Sequence, residues 1–224
     1  MGNQQADIEW RAGQVPVSTQ FDDPYFSLEN GLEETRHVFL QGSDLPARFR
    51  DGFHIAELGF GTGLNFFATC QSWTESKLQG HLFYTSFEAF PMTTNDMSKA
   101  LNAFPELSGT AAALIANWNG KSGPQQVAQH ISLNLVVGDA RNTLPKWCGQ
   151  ADAWFLDGFS PAKNPELWEP SLMCAVADHT APGGTVATYT AAGSVRRGLE
   201  EAGFAVTRSK GYGRKRHMTQ AVLA

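Results

Sequence analysis

Residues 53–64 have the sequence FHIAELGFGTGL, and this stretch decides the fold. Its first six residues predict a buried strand, the residues from Leu64 to Trp73 predict a helix, and a glycine-rich loop joins the two. A dinucleotide-binding fingerprint would have its third glycine at position 64, where this chain has leucine. The stretch therefore argues against a nicotinamide-dependent oxidoreductase and indicates another ligand that lies close to the loop backbone.

Strands and helices alternate from this stretch onward. The predicted strands are Phe53–Leu58, Leu82–Glu88, Ile131–Val137, Ala153–Asp157 and Thr185–Tyr189, and the predicted helices are Leu64–Trp73, Thr93–Ala103, Glu166–His179 and Ser194–Ala202. Four of the strands are almost continuously apolar, as strands covered on both faces are. The pattern predicts a doubly wound parallel α/β sheet, while residues 106–128 are ambiguous.

The chain ends in a predicted antiparallel hairpin, Phe204–Ser209 and His217–Leu223, with glycines in its turn. A Rossmann-like doubly wound sheet that ends in a hairpin is the plan of class I S-adenosyl-L-methionine-dependent methyltransferases. We expect residues 53–224 to form this core. Residues 1–52 are expected to form an N-terminal cap or arm, with a helix near Leu32–Leu40, so that 1–224 is a single domain.

Composition limits the class of protein. The chain has 224 residues, 42% hydrophobic and 17% charged, which is typical of a globular protein. It has no apolar run long enough to span a membrane, and its polar start predicts no secretory signal. Three cysteines without a CxxC pair predict a reduced, cytoplasmic protein without a metal site. We expect a monomer.

The net charge of −5 is unevenly distributed. Between Arg196 and His217, seven basic residues stand against two acids, whereas the rest of the chain has an excess of ten negative charges. Such a basic face can bind a polyanion while the remaining surface repels non-specific contacts. The alternative is a solvated basic hairpin that binds nothing.

Acidic residues stand at the ends of three predicted strands: Glu57, Glu88 and Asp139. The carboxyl ends of parallel strands meet in one crevice, where ligands bind in open α/β sheets. Glu57 before the glycine loop suits a cofactor with a cationic amino acid tail, such as S-adenosyl-L-methionine. Glu88 is placed for the ribose hydroxyls and Asp139 for the adenine amino group. Each acid alone is equally explained as a helix N-cap, Asp139 in particular.

Residues 153–165, AWFLDGFSPAKNP, place Asp157 at the end of a fourth strand, before the loop that faces the methyl group in this plan. An amine nucleophile, with a pKa near ~10.4, must lose a proton before in-line methyl transfer. Asp157 is the candidate base, and the alternative is a carboxylate that binds the loop backbone. Phe159 is a candidate for stacking, or for loop packing only. Lys163 and Asn164 are candidates for phosphate or base contacts, with helix entry as the alternative for Asn164.

Nearly the whole chain resembles the methyltransferase domain of the MnmC-type tRNA wobble-uridine modification enzymes. The matching stretches include FDDPYFS at 21–27, GLEET at 31–35, SFE at 86–88, WFLDGFSPAKNPELW at 154–168 and GYGRKRHM at 211–218. The resemblance implies methylation of the side-chain amine of 5-aminomethyl-(2-thio)uridine. S-adenosyl-L-methionine would be the donor, S-adenosyl-L-homocysteine the product and the tRNA anticodon arm the partner. It implies neither flavin nor oxidase domain here, because the chain stops at Ala224, where the bifunctional enzyme continues.

The resemblance, with the residues above, gives three sets of candidates. The catalytic candidate is Asp157. The cofactor-binding candidates are Tyr25, Glu57, Gly59, Phe60, Gly61, Thr62, Gly63, Asn65, Glu88, Asp139 and Ala140. The substrate-binding candidates are Phe159, Pro161, Lys163, Asn164, Arg214, Lys215 and Arg216. The segment of Tyr25 and Thr35 would fold over the cofactor, or would be a purely structural cap.

Two other functions stay open. One is an S-adenosyl-L-methionine-dependent methyltransferase that acts on another amine, for which the basic hairpin would be dispensable. The other is a non-catalytic RNA-binding module with a degenerate cofactor pocket, which would not bind S-adenosyl-L-methionine.

Overall fold

A computed structural model describes residues 5–11, 15–27 and 30–224. The strands of this described part are β1 Ile8–Arg11, β2 Val15–Ser18, β3 Asp23–Pro24, β4 Phe53–Leu58, β5 Leu82–Glu88, β6 Gly123–Ala128, β7 Ile131–Val137, β8 Ala151–Leu156, β9 Thr180–Thr188, β10 Phe204–Lys210 and β11 His217–Leu223. The α-helices are α1 Gly31–Thr35, α2 Leu64–Ser76, α3 Thr94–Leu101, α4 Ser108–Asn117, α5 Ala140–Thr143, α6 Pro170–Asp178 and α7 Gly193–Glu201. A π-helical turn, Arg36–Leu40, continues α1, and 3-10 turns lie at Gln41–Ser43, Pro105–Leu107, Leu144–Lys146 and Pro165–Trp168.

The main sheet has eight strands in the order β10-β11-β9-β8-β4-β5-β7-β6. The five strands from β9 to β7 are parallel. At one edge β6 runs antiparallel to β7, and at the other β11 runs antiparallel to both β9 and β10. The predicted α/β class, with a doubly wound sheet that ends in an antiparallel hairpin, is confirmed.

The boundaries of β4, β5 and β7 agree with the prediction, but β9 begins five residues earlier than expected, at Thr180. Its pairing with β8 changes register between Ala151 and Ala153, which accommodates a proline and two glycines in the added part. The predicted helix Glu166–His179 is wrong as one element. Pro170 begins α6 after a separate 3-10 turn, because proline has no N–H and its ring clashes with the preceding helical turn.

The N-terminal segment contains a small antiparallel sheet in the order β1-β2-β3, which the sequence did not predict. It is joined to the core by a hydrogen bond from Ala6 N to Pro91 O and by one from Ser160 N to the Asp23 carboxylate. The predicted helix Leu32–Leu40 is found as α1 and the π-helical turn. The ambiguous residues 106–128 contain α4 and β6.

Both faces of the main sheet are covered. On one face Phe155 packs with Phe66 and Tyr84. On the other Trp154 packs with Phe87 and the residues of α6 and α7. Adjacent residues of one strand point to opposite faces, so burial of both explains the continuous apolar runs of the sequence. In the described part of the chain, every helix is too short or too polar to cross a membrane.

Candidate active site

A cavity of about 800 Å³ lies at the carboxyl ends of the central strands. Its walls come from the glycine loop after β4, the loops after β5, β7 and β8, and the N-terminal segment. The sequence-predicted residues that line it are Tyr25, Gly59, Phe60, Gly61, Thr62, Asn65, Glu88, Asp139, Ala140, Asp157, Phe159, Asn164 and Lys215. Residues far apart in the sequence therefore meet in one crevice, as the strand order requires.

The remaining candidates lie outside the cavity lining. Gly63 is the N-cap residue of α2, and Glu57 is buried beneath the cavity wall, 1% exposed. Pro161 is in the turn after β8, where Lys163 forms an exposed ion pair with Asp22, 2.7 Å long. Arg214 and Arg216 are exposed in the turn of the C-terminal hairpin.

The glycine loop brings two chain segments into contact at the floor of the cavity. Gly59 has a φ of +91°, and a side chain at this position would place its Cβ 2.6 Å from the Asp157 carbonyl oxygen. Hydrogen bonds from Gly59 N to Phe87 O and from Asp157 N to Leu58 O hold the loop ends together. Only glycine combines this φ with so close an approach, so Gly59 allows Asp157 to lie beside Asn65 on α2.

Two carboxylates share one amide beneath this loop. Asn65, which is 3% exposed, donates from Nδ2 to Asp157 Oδ2 at 2.7 Å and to Glu57 Oε1 at 3.0 Å. The Thr35 hydroxyl donates to Asn65 Oδ1 at 2.9 Å, which fixes the orientation of the amide. Ser86 donates to the second oxygen of Glu57 at 2.8 Å.

Burial decides the charge of this pair. Loss of solvation, together with the nearby Asp157, raises the pKa of Glu57 to about 8 against the hydrogen bonds from Asn65 and Ser86. Loss of solvation also raises the pKa of Asp157 to about 7, again opposed by Asn65. Asp157 therefore exchanges a proton near neutral pH, as a general base or acid must.

Glu88 faces the cavity from the end of β5. Its carboxylate accepts hydrogen bonds from Gly61 N at 2.9 Å and from Phe90 N at 2.8 Å. Burial raises the pKa of Glu88, and the backbone donors oppose the shift. Glu88 lines the cavity, and a carboxylate offers several acceptor positions, so the group can also accept a hydrogen bond from a ligand hydroxyl.

Asp139 caps α5, which is the alternative role that the sequence allowed. Its side chain accepts a hydrogen bond from Arg141 N at 2.9 Å and forms an ion pair with the Arg141 guanidinium at 2.7 Å. The Arg141 hydrogen bond lowers the pKa of Asp139. The residue lines the cavity at the same time, so capping does not remove it from the site.

Aromatic side chains close the cavity from the N-terminal side. Phe159 stacks on Phe21 with a centroid distance of 4.8 Å and meets the edge of Tyr25 at 5.0 Å. Ser160 N donates to the Asp23 carboxylate at 2.8 Å and ties the same two segments. Phe159 therefore packs within the cap, and Asn164 precedes the 3-10 turn at Pro165, so each has the structural role that the sequence left open. Both also line the cavity, and their substrate contacts stay predictions.

Glu34 and Tyr189 are among the cavity residues that the sequence interpretation missed. Glu34 forms an ion pair with Lys215, whose Nζ also lies 4.5 Å from the centre of the Tyr189 ring. They lie far apart in the sequence and form no local motif, although Glu34 is part of the GLEET stretch at 31–35. Among the described residues, no group of three His, Cys, Asp or Glu side chains is arranged to hold a metal ion.

Comparison with known proteins identifies related chains. A family described as S-adenosyl-L-methionine-dependent methyltransferase matches residues 105–224. The tRNA 5-methylaminomethyl-2-thiouridine biosynthesis bifunctional protein MnmC of Aeromonas salmonicida (strain A449) is 46% identical over 226 residues, which cover 94% of this chain and 34% of that protein. Its counterpart from Caulobacter sp. (strain K31) is 45% identical over 227 residues, 95% of this chain and 37% of that protein.

A solved structure is also similar over nearly the whole chain. The crystal structure of MNMC2 from Aquifex aeolicus has a TM-score of 0.77 and 27% sequence identity, and the match covers 98% of this chain and 71% of that one. The chain spans about a third of the length of the curated relatives it matches. The resemblance predicted from the sequence is confirmed.

Proposed function

The chain belongs to a family of S-adenosyl-L-methionine-dependent methyltransferases, and from this premise we propose that it methylates the side-chain amine of 5-aminomethyl-(2-thio)uridine at the tRNA wobble position. The observation that carries the proposal is Asp157, a carboxylate with a pKa of about 7 that lines the cavity beside the glycine loop. The names of the MnmC relatives, which concern 5-methylaminomethyl-2-thiouridine in tRNA, support the substrate. A tRNA substrate in turn supports a cytoplasmic location.

The cavity fits S-adenosyl-L-methionine in size and charge. Its volume of about 800 Å³ is within the range of small-molecule sites, ~300–1,000 Å³. The lining carries several carboxylates, which suit a ligand with a sulfonium and an ammonium group. Glu88 would hold the ribose hydroxyls, and the backbone at Gly59 and Gly61 would lie against the amino acid tail. When bound, this cofactor supplies a methyl group on a positively charged sulfur.

Asp157 would prepare the amine for attack. An alkylammonium has no lone pair, so its proton must move to a base before nitrogen can bond to the methyl carbon. The ionised Asp157 would accept that proton, and the nitrogen would then take the methyl group from the sulfonium, whose sulfur would keep the bonding electron pair. Asp157 then releases the proton to solvent. Because the base must be ionised, activity is expected to rise with pH through about 7.

The exposed basic residues would bind the tRNA backbone. Arg197 on α7, Arg208 on β10, and Arg214 and Arg216 in the hairpin turn are all exposed. Phosphate contacts of this kind position a nucleic acid without reading its sequence. A wobble base in a single-stranded loop can be splayed into a pocket at low cost.

The test is mass spectrometry of wobble nucleosides from tRNA that carries 5-aminomethyluridine, after incubation with the protein and S-adenosyl-L-methionine. We expect a gain of one methyl group on the side-chain amine. Asp157→Asn is expected to bind the cofactor and to lose most turnover. The matched control is Asp152→Asn at the opposite end of β8, where Asp152 pairs with Arg50, and it is expected to keep turnover.

Two results would point elsewhere. Cofactor binding without methyl gain on this tRNA would refute the proposed substrate and favour another amine. No heat of binding with S-adenosyl-L-methionine in calorimetry would refute the enzyme and favour a degenerate RNA-binding module. The docking face is tested separately: Arg214→Ala with Arg216→Ala should weaken tRNA binding and reduce its salt dependence.

A further inference from the structure

An ion pair between Lys215 and Glu34 lies inside the cavity, next to the basic hairpin. The Lys215 Nζ atom is 2.6 Å from Glu34 Oε1 and 4.5 Å from the centre of the Tyr189 ring. All three residues line the cavity. Methyl transfer as proposed above uses none of them, and the Lys215 ammonium pairs with Glu34 although the lysine side chain is partly exposed.

Glu34 and Tyr189 are held in place by the fold, whereas Lys215 reaches them from an exposed turn. The backbone N–H of Glu34 donates to Asn30 O, at the beginning of α1. The Tyr189 hydroxyl donates to Gly158 O at 2.8 Å, which fixes the ring beside the residue that follows Asp157. The Glu34 side chain is 12% exposed and that of Lys215 is 47% exposed. Two side chains that the fold holds in place thus bind the ammonium group of a long, flexible lysine side chain.

A carboxylate and the face of an aromatic ring together bind ammonium groups. We propose that Glu34 and Tyr189 form the subsite that receives the protonated aminomethyl group of the substrate, and that Lys215 occupies this subsite until the substrate displaces it. The inference rests on the proposed function. It follows from chemical identity, because the lysine side chain ends in a primary alkylammonium and so does the protonated aminomethyl group.

The subsite would determine specificity. An uncharged substituent on the same base would gain neither the ion pair with Glu34 nor the contact with the Tyr189 ring, and it would leave Lys215 in place. The Tyr189 hydroxyl is hydrogen-bonded to Gly158, the residue after Asp157, and the charges of Glu34 and Lys215 both act on the Asp157 carboxylate, so an ammonium held here would lie near Asp157. Recognition of the amine and removal of its proton would thus take place at neighbouring carboxylates.

Steady-state kinetics of Lys215→Met and of the double variant with Glu34→Gln test the subsite on tRNA that carries 5-aminomethyluridine. In the Lys215→Met background the occupant is gone, so Glu34 no longer serves to hold Lys215. Glu34 also raises the pKa of Asp157, so the variants are compared on the high-pH plateau, where Asp157 is ionised in both. We expect kcat/KM of the double variant to be about 10- to 100-fold below that of Lys215→Met alone. Equal values would overturn the proposal, since Glu34 would then serve only to hold Lys215.

Glu33→Gln in the same background is the matched control. Glu33 is adjacent in sequence, pairs with Arg36 and lies outside the cavity lining, so kcat/KM should stay within about twofold. Wild-type turnover distinguishes failure of the proposed function from failure of the subsite. No methylation by the wild type would overturn the proposed function and the subsite with it, whereas an active wild type with an unaffected double variant overturns the subsite alone.

A second measurement needs no change at Glu34. The dissociation constants of unmodified and aminomethyl-bearing tRNA are compared for the wild type and Lys215→Met. Loss of a phosphate contact would weaken both tRNAs equally, so their ratio isolates the subsite. We expect the preference for aminomethyl-bearing tRNA to increase about two- to fivefold in Lys215→Met, because a partly exposed competing ion pair is lost. An unchanged or smaller preference would overturn the proposal.

Discussion

Replacing Asn65 by leucine should move the acid limb of the pH–rate profile upward. Leucine has a similar size but cannot donate the hydrogen bond that Asn65 Nδ2 makes to Asp157 Oδ2 at 2.7 Å. A hydrogen bond to a charged group contributes about 1.5–3 kcal/mol. Its loss from the ionised form of Asp157 corresponds to about one to two pH units. The direction is upward, because the lost donor favours the ionised carboxylate.

The magnitude at neutral pH follows from the pKa of about 7 for Asp157, which leaves half of these groups ionised at pH 7. A limb moved by about one to two units reduces the ionised fraction, and with it the rate, by about 5- to 50-fold at pH 7. The rate of the variant should approach the wild-type plateau only on the order of pH 9 to 10, which is two to three units above the wild-type midpoint near pH 7.

The assay is kcat/KM for methylation of aminomethyl-bearing tRNA at saturating cofactor from pH 5.5 upward. The substrate is the same for both proteins, so a difference in the limb belongs to the enzyme. Thr69→Val is the control: it removes a buried hydrogen bond to Asn65 O in the same helix, remote from the carboxylates. A folded Asn65→Leu variant whose limb coincides with that of the wild type would refute the reasoning.

Three further predictions concern the same region. In chemical denaturation, Gly59→Ala should lower the free energy of unfolding by at least about 2 kcal/mol. Gly52 has a similar φ of +73° but open space around the added Cβ, so Gly52→Ala should lower it by only about 1 kcal/mol. Equal losses would show that the contact with Asp157 is unimportant. Folded Glu57 has its pKa raised to about 8, so it binds more protons than the unfolded chain between about pH 4.5 and 8, and wild-type stability is lost as pH rises through this window. Glu57→Gln should therefore gain melting temperature over the wild type from pH 5 to pH 8, and parallel curves would contradict this assignment. Glu88→Ala should raise the cofactor dissociation constant in calorimetry and leave kcat at saturation nearly unchanged; a pure turnover defect would argue against ribose binding.

Local sequence predicted the central strands well because buried, mostly apolar residues recur along each of them. In β4, β5 and β7 the boundaries coincide with apolar runs that face helices on both sides of the sheet. The three-strand N-terminal sheet was not predicted, since its strands are only two to four residues long and two of them contain a proline, Pro16 and Pro24. Short strands of this kind are specified by their partners, and pairing between distant segments leaves no periodic signal.

The residues of the site likewise divide into those that the sequence could predict and those that only the structure shows. Acids that follow strands, such as Glu88 and Asp157, could be assigned to the crevice because strand topology alone brings them together. The role of Asn65 as the amide between two carboxylates depends on side-chain geometry that no spacing encodes. Lys215 was assigned to the tRNA face with its neighbours, and only the structure brings it into contact with Glu34. The Lys215 side chain reaches Glu34 although about half of it stays exposed, and no spacing in the sequence encodes that reach.

The distribution of charge explains how a chain with a net charge of −5 can serve a polyanionic partner. The acids that line the cavity are Asp7, Asp23, Glu34, Glu88, Asp139, Asp157 and Glu166. Two basic residues of the described lining, Arg141 and Lys215, each pair with one of these acids. The interior therefore favours cations, and the proposed cofactor and the aminomethyl group are both cationic, whereas the exposed hairpin turn and α7 favour phosphate. Screening by salt weakens contacts at the exposed face far more than contacts within the cavity. Raised ionic strength should therefore release tRNA at concentrations that still permit cofactor binding, and this separation requires the acidic cavity and the basic exposed face to be different surfaces.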